Sequence, residues 1–188
     1  MDERRVDAEY GAYDAVVFDL DGTLVRLVVD WDDVAAAVIE RLAADGVDAA
    51  GRDLWGLLDL ADEIGRRDEV EAIIGAHELD GAKRSERLPA ADDLAALDRP
   101  AAVCSLNAEA AARTALATHD LIDRVGVVVG RDSVPTRKPD PEPLLAALDA
   151  IDVPPDRALF VGDSARDAEA AERAGVAFEY VGDGPSGH

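Results

Sequence analysis

The chain has 188 residues, of which 41 are Asp or Glu and 19 are Lys or Arg, so its formal net charge at pH 7 is −22. This acidic balance argues against a basic nucleic-acid-binding protein. Hydrophobic residues make up 48% of the chain, which is enough for a sizeable core and argues against disorder. The length favours one domain with room for a small insertion.

The charged residues are biased in type as well as in number. Aspartate outnumbers glutamate 28 to 13, and only two of the 19 cations are lysines, Lys83 and Lys138. At about 1 M ionic strength the Debye length falls to about 3 Å, so repulsion among the surplus acids is largely screened. We therefore hypothesise a halophilic protein that unfolds on dialysis into dilute buffer. Circular dichroism and activity that survive this dialysis unchanged would contradict the hypothesis.

The single cysteine and the distribution of apolar residues indicate a cellular setting. Cys104 cannot form an internal disulfide and offers no metal-binding cluster, which fits a reduced cytoplasm. The N-terminal segment is charged and lacks an apolar core of about 7 to 15 residues. No apolar stretch of about 18 residues occurs anywhere. We expect a cytoplasmic protein that is neither exported nor inserted into a membrane.

Short apolar runs alternate with alanine-rich helical segments along most of the chain. The first strand is predicted at 15–20 and ends in the turn-forming pair Asp21-Gly22. Further strands are predicted at 101–105, 125–130, 157–162 and 176–181, and helices at 107–118, 142–151 and 165–174. This alternation predicts an α/β fold with a Rossmann-like parallel sheet and helices on both faces.

The alternation is interrupted after the first strand. Asp19 and Ser105 are 86 positions apart, whereas a βαβ unit takes only about 30 residues, so about 60 residues are inserted. The inserted segments 31–46, 52–65 and 67–81 have helical periodicity, and the glycines at 46, 65 and 81 are expected to end them. We predict a small helical cap at 25–87 within a core formed by 1–24 and 88–188. A further short helix, ADDLAALD, leads back to the sheet.

Polar residues follow three of the predicted strands, where open α/β sheets bind their ligands. Two carboxylates separated by one residue project to the same side of the chain, and a third from a neighbouring strand closes an oxygen-lined pocket. Mg²⁺ prefers hard oxygen ligands and keeps several waters, so these acids predict a magnesium site. The three sequences are Asp19-Leu20-Asp21-Gly22-Thr23, Ser105-Leu106-Asn107 and Gly162-Asp163-Ser164-Ala165-Arg166-Asp167.

The chain resembles the haloacid dehalogenase superfamily of phosphohydrolases in four motifs, which occur in the order expected of that family. They are VVFDLDGT, the serine that ends VCS, the lysine of RKPDPEP, and VGDSARD. The resemblance spans the chain apart from the inserted cap. It points to the phosphatase type with a small helical cap of the C1 kind, similar to phosphoglycolate phosphatase.

The resemblance implies roles for the acids and the lysine. Asp19 would attack phosphorus to form an aspartyl-phosphate, with Lys138 offsetting charge. Asp21 would protonate the leaving group and then deprotonate the attacking water. The side chains of Asp19 and Asp163 and the backbone carbonyl of Asp21 would hold Mg²⁺, with Asp167 behind them or acting through a water.

The resemblance also implies a set of phosphate-binding groups. Ser105, Lys138 and the backbone N–H groups near Leu20 and Leu106 would hold phosphoryl oxygens. Asn107 is a weaker candidate, because it could equally cap the following helix. Gly22 permits the backbone bend between the two acids, and Thr23 is expected to orient one of them.

The expected function is Mg²⁺-dependent hydrolysis of a small phosphate ester, with neither a nucleic-acid nor a membrane partner. The chain departs from many relatives just after the first motif, where Val25-Arg26-Leu27 replaces an acidic residue and a serine, so no specific substrate is transferred. Two alternatives stay open: a phosphomutase using the same intermediate, and a non-catalytic phosphate-binding or scaffold protein. A dehalogenase is disfavoured, because those enzymes lack the second acid that Asp21 supplies.

Overall fold

The computed structural model describes residues 10–182, which form a parallel sheet flanked by helices and a smaller helical insertion. In chain order the elements are β1 (Ala15–Phe18), β2 (Val25–Arg26), α1 (Trp31–Ala43), α2 (Leu54–Glu63), α3 (Arg67–Lys83), β3 (Glu86–Arg87), α4 (Ala90–Ala96), β4 (Ala101–Cys104), α5 (Glu109–Thr118), β5 (Val127–Val129), α6 (Glu142–Ala150), β6 (Ala158–Gly162), α7 (Ala165–Ala174) and β7 (Ala177–Tyr180). Short 3₁₀ turns at Ile122–Arg124 and Pro155–Arg157 precede β5 and β6. Among these helices, none has the length and apolar character needed to cross a membrane.

The main sheet has five parallel strands in the order β5-β4-β1-β6-β7. All four residues of the central strand β1 are buried, as a strand covered on both faces requires. One apolar cluster joins this sheet to Leu94 of α4 and Leu116 of α5, and a second joins it to Leu148 of α6 and Ala171 of α7. The predicted parallel sheet with helices on both faces is therefore confirmed.

The insertion forms a small helical cap with a core of its own. Helices α1 to α3 share an apolar cluster that includes Val38, Leu57 and Ile74. Strands β2 and β3 pair antiparallel and bring Val25 opposite Arg87, so the chain enters and leaves the cap at one place. We propose 25–87 as the extent of the cap because of this pairing.

The prediction that Gly81 ends its helix is wrong: α3 continues past it to Lys83. A Cβ atom at Gly81 would lie 2.9 Å from the backbone oxygen of Val28, so the missing side chain lets the segment entering the cap lie directly on α3. Gly46 and Gly65 do follow α1 and α2 as predicted, with φ of 79° and 68°.

Candidate active site

The C-terminal ends of three adjacent strands bring the predicted site residues to one edge of the sheet. Phe18 of β1 pairs with Val103 of β4 on one side and with Val161 of β6 on the other. The residues that follow these strands, Asp19, Ser105 and Asp163, therefore lie along the same edge. All three are buried.

Lys138 reaches this edge from the loop that precedes α6. Its Nζ donates to Asp19 Oδ1 at 2.7 Å, to Asp167 Oδ1 at 2.5 Å and to the Cys104 carbonyl oxygen at 2.9 Å. The side chain is only 2% exposed. An ammonium group has three donors, and these three acceptors use all of them. Lys138 is thus fixed as a positive charge between two acids.

Three carboxylates surround this part of the site. Oxygen atoms of Asp19, Asp163 and Asp167 all lie within 4.8 Å of one another, and the three side chains are buried. Three acids facing a single ammonium leave an excess of negative charge, and carboxylate oxygen is the donor that Mg²⁺ prefers. The donor set therefore fits a magnesium ion.

The environment raises the pKa of both Asp19 and Lys138, which favours the neutral form of the acid and the charged form of the lysine. Burial, together with the charges of Asp167 and Asp163, raises the pKa of Asp19 to about 8 against the lowering effect of Lys138. Burial alone would lower the pKa of Lys138, but Asp167 and Asp19 outweigh it and the pKa is raised. Lys138 therefore stays charged at neutral pH, and a dication beside Asp19 would favour its carboxylate form.

Asp167 is held rigidly at the start of α7. Its backbone N–H and the Ser164 hydroxyl form one half of a capping box, and its Oδ2 accepts from the Ser164 backbone at 3.1 Å in the other half. Its Oδ1 accepts from Lys138. Both oxygens of Asp167 thus accept hydrogen bonds from the protein. The residue that caps the helix is Ser164 and not Asp163.

Gly22 allows the first strand end to approach Asp163. Its φ is +88°, and a Cβ atom at this position would overlap the Asp163 carboxylate. The side chain of Asp21 lies next to this bend and accepts a hydrogen bond from the Leu27 backbone at 2.8 Å, in the segment that enters the cap. The expectation for Thr23 is wrong, because its buried hydroxyl has no hydrogen-bond partner among residues 10–182 and so orients neither acid.

The loop after β4 contains the other predicted phosphate-binding groups. The Ser105 hydroxyl donates to Asn107 Oδ1 at 3.0 Å and accepts from the Asn107 backbone at 3.1 Å. Asn107 does not cap α5, whose N-cap residue is Ala108. The side chain of Leu20 is fully buried in the core, so only its backbone can face the site, and the Leu106 carbonyl accepts from Arg131 at 2.7 Å.

Sequence reasoning missed a buried ionic cluster behind this loop, formed by Glu71, Glu78 and Arg131. The Arg131 side chain is 1% exposed and pairs with Glu71 and Glu78 of α3, each at 2.8 Å. Burial would lower the pKa of Arg131, but the two carboxylates raise it further above its usual range. A signal was present for Glu78, which follows Val70 and Ile74 at four-residue spacing on the buried face of α3.

Trp55 of α2 connects the cap to the two core segments that carry Lys138 and Asp167. The guanidinium carbon of Arg166 lies 4.6 Å from the centre of its ring, and that of Arg137 lies 5.6 Å away. Arg137 also forms an ion pair with Asp59 of the same helix. The contact of Trp55 with two core arginines was not foreseen from the sequence.

Comparisons with known proteins agree with this architecture. Residues 13–175 match the family model of haloacid dehalogenase-like hydrolases. The chain is 34% identical over 184 residues to a phosphoglycolate phosphatase of Rhodospirillum rubrum, covering 86% of this chain and 76% of that protein. It is 32% identical over 190 residues to a phosphoglycolate phosphatase of Cereibacter sphaeroides, covering 90% and 85%.

Solved structures share the fold. The crystal structure of CbbY from Rhodobacter sphaeroides in complex with phosphate aligns with a TM-score of 0.67 at 22% identity, covering 93% of this chain and 87% of that one. A haloacid dehalogenase-like hydrolase from Streptococcus pneumoniae aligns with a TM-score of 0.66 at 19% identity, covering 94% and 89%.

Proposed function

Because the chain belongs to the haloacid dehalogenase-like hydrolases and is a phosphatase, we propose that it hydrolyses small phosphate monoesters through an aspartyl-phosphate on Asp19, with Mg²⁺ as cofactor. The observation that carries this proposal is the buried Lys138 ammonium, which bonds Asp19 and Asp167 at the sheet edge where Asp163 also lies. The activity of the family argues against the non-catalytic alternative.

Each step of the proposed reaction uses residues at this edge. The Asp19 carboxylate attacks phosphorus, the P–O bond of the ester breaks, and the leaving oxygen takes a proton from Asp21. Water then attacks the phosphoryl group, returns a proton to Asp21 and releases Asp19 and inorganic phosphate. The backbone N–H groups near Leu20 and Leu106, and the Ser105 hydroxyl once it turns from Asn107 Oδ1, hold phosphoryl oxygens through both steps. Lys138, whose three donors serve Asp19, Asp167 and the Cys104 carbonyl, offsets the charge of the phosphoryl group.

Mg²⁺ would be held by the side chains of Asp19 and Asp163 and the carbonyl of Asp21, and when bound it would neutralise charge on the phosphoryl group. Asp167 would support the site from behind, because both of its oxygens already accept hydrogen bonds from the protein. The buried, acid-rich donor set supports this assignment.

We expect the purified protein to hydrolyse p-nitrophenyl phosphate in concentrated salt with Mg²⁺, and to lose this activity to background in EDTA. Activity should return when Mg²⁺ is added in excess, because the excess acid charge at the site needs a cation. The measurement is the rate of p-nitrophenol release. Full activity after verified removal of divalent metal would contradict the cofactor assignment.

The substrate is proposed as a small phosphorylated metabolite. Phosphoglycolate is the first to test, because the sequence relatives carry its name. A panel of small phosphate esters, assayed for released phosphate, would rank it against others. An isomerised sugar phosphate without released phosphate would instead indicate the phosphomutase.

A further inference from the structure

Glu78 of the cap sits at the centre of a hydrogen-bond network that reaches the core. Its Oε1 accepts from Asn107 Nδ2 at 3.1 Å and from Arg131 Nη1 at 2.8 Å. Its Oε2 accepts from the Ala108 backbone at 3.0 Å and from Arg131 Nη2 at 3.1 Å. Glu78 is fully buried. This carboxylate therefore fixes one end of the loop 105–108, which we call the phosphate loop.

Arg131 holds the same loop through the Leu106 carbonyl. Its Nη1 donates to the Leu106 carbonyl at 2.7 Å in addition to Glu78. Its Nε and Nη2 donate at 2.9 and 2.8 Å to Glu71, which lies about two helical turns before Glu78 on α3. A guanidinium with several buried acceptors has little freedom to move, so Arg131 ties the phosphate loop to the cap helix.

The network also determines how the polar groups of the loop are oriented. A carboxylate paired with Arg131 accepts hydrogen bonds, so the Asn107 atom facing Glu78 is the Nδ2 donor. Asn107 Oδ1 then faces Ser105 and accepts from its hydroxyl at 3.0 Å. Glu78 thus sets the rotamer of Asn107, and Asn107 sets that of Ser105.

We propose that Glu78 and Arg131 are positioning residues for phosphate binding: the cap, through Glu78, holds the phosphate loop in the conformation that binds phosphoryl oxygens. This inference rests on the proposed function, because it takes as phosphate ligands the loop backbone and the Ser105 hydroxyl, whose hydrogen turns from Asn107 Oδ1 when phosphate binds. It assigns a part of phosphate recognition to a cap residue that touches no substrate.

The test compares E78Q with the matched variant E71Q. Both remove one charge from α3 and weaken one pair with Arg131, but within residues 10–182 Glu71 bonds only Arg67 and Arg131 and not the phosphate loop. For E78Q we expect the KM for p-nitrophenyl phosphate and the inhibition constant of inorganic phosphate to rise together, by about 10- to 100-fold. The kcat should fall much less, because the loop binds the phosphate group of substrate and transition state alike. For E71Q, in which Glu78 and the Leu106 carbonyl still hold Arg131 and the glutamine can still accept hydrogen bonds, we expect changes below about threefold in both constants.

Equal changes in the two variants, or an unchanged inhibition constant in folded E78Q, would show that the network only anchors the cap, and would overturn the inference. If E78Q does not fold, R131K takes its place: it keeps the positive charge, but a single ammonium nitrogen replaces the three guanidinium nitrogens that bond the Leu106 carbonyl and both glutamates. Folded R131K with unchanged constants would also overturn it. An inactive wild-type protein would overturn the proposed function itself, whereas an active wild type with an unaffected E78Q removes only this inference.

Discussion

Asp19→Asn is expected to lower kcat for a phosphate ester by at least about 10⁴-fold, since loss of a nucleophile removes the covalent route altogether. The fold should be retained, because asparagine has nearly the same shape and the strand that precedes it is fully buried. Turnover of p-nitrophenyl phosphate measures the loss of kcat, and the circular dichroism spectrum shows whether the fold is retained. Near wild-type turnover in Asp19→Asn would refute the nucleophile assignment.

Asp21→Asn is the matched control for this substitution. It also replaces an aspartate by asparagine in the same motif but leaves the nucleophile, so an ester with a good leaving group should still phosphorylate the protein. Hydrolysis of that intermediate should be slow, by about 10²- to 10⁴-fold, because its general base is gone. Phosphorylated protein detected by mass spectrometry in Asp21→Asn, and not in Asp19→Asn, is the expected contrast.

Lys138→Met should damage both activity and stability. Methionine leaves the buried Asp19 and Asp167 without their shared cation, and breaking a buried pair in this way typically costs about 3–5 kcal/mol of unfolding free energy. We expect kcat to fall by about 10²- to 10³-fold, as when a single charge-stabilising donor is removed. Denaturant unfolding with and without Mg²⁺ measures the loss of stability. Mg²⁺ should recover part of that loss by replacing the missing positive charge.

Lys83→Met is the natural control, because it removes the only other lysine and leaves the site intact. Lys83 is an exposed residue in the last turn of α3. We expect its substitution to change unfolding free energy by less than about 1 kcal/mol and kcat hardly at all. Similar losses in both lysine variants would mean that net charge, and not the position of Lys138, accounts for the effect.

The core of the fold could be predicted from the sequence because its local signals and its tertiary packing agree. Short apolar runs such as Ala101–Cys104 have few alternatives to a buried parallel strand, and alanine-rich helices follow them. The prediction failed where packing accounts for a local signal, as at Gly81, whose missing side chain makes room for the segment entering the cap and does not end α3. The two-residue strands β2 and β3 were missed, since pairs so short have no periodicity to detect.

The catalytic edge could be predicted for a related reason. Parallel strands end at one edge, so Asp19 and Asp163 meet there whatever the length of chain between them. The ionic cluster could not be found in this way, because Glu78 and Arg131 are 53 positions apart and belong to no motif.

Trp55 has an optical consequence. It is one of only two tryptophans in the chain, and its ring lies against two guanidinium groups, whereas Trp31 is 37% exposed at the start of α1. Any displacement of α2 from Arg137 and Arg166 would take the half-buried indole away from both cations and expose it further. In a Trp31→Phe background the intrinsic emission would therefore report whether the cap helix stays in contact with the core, with no label attached.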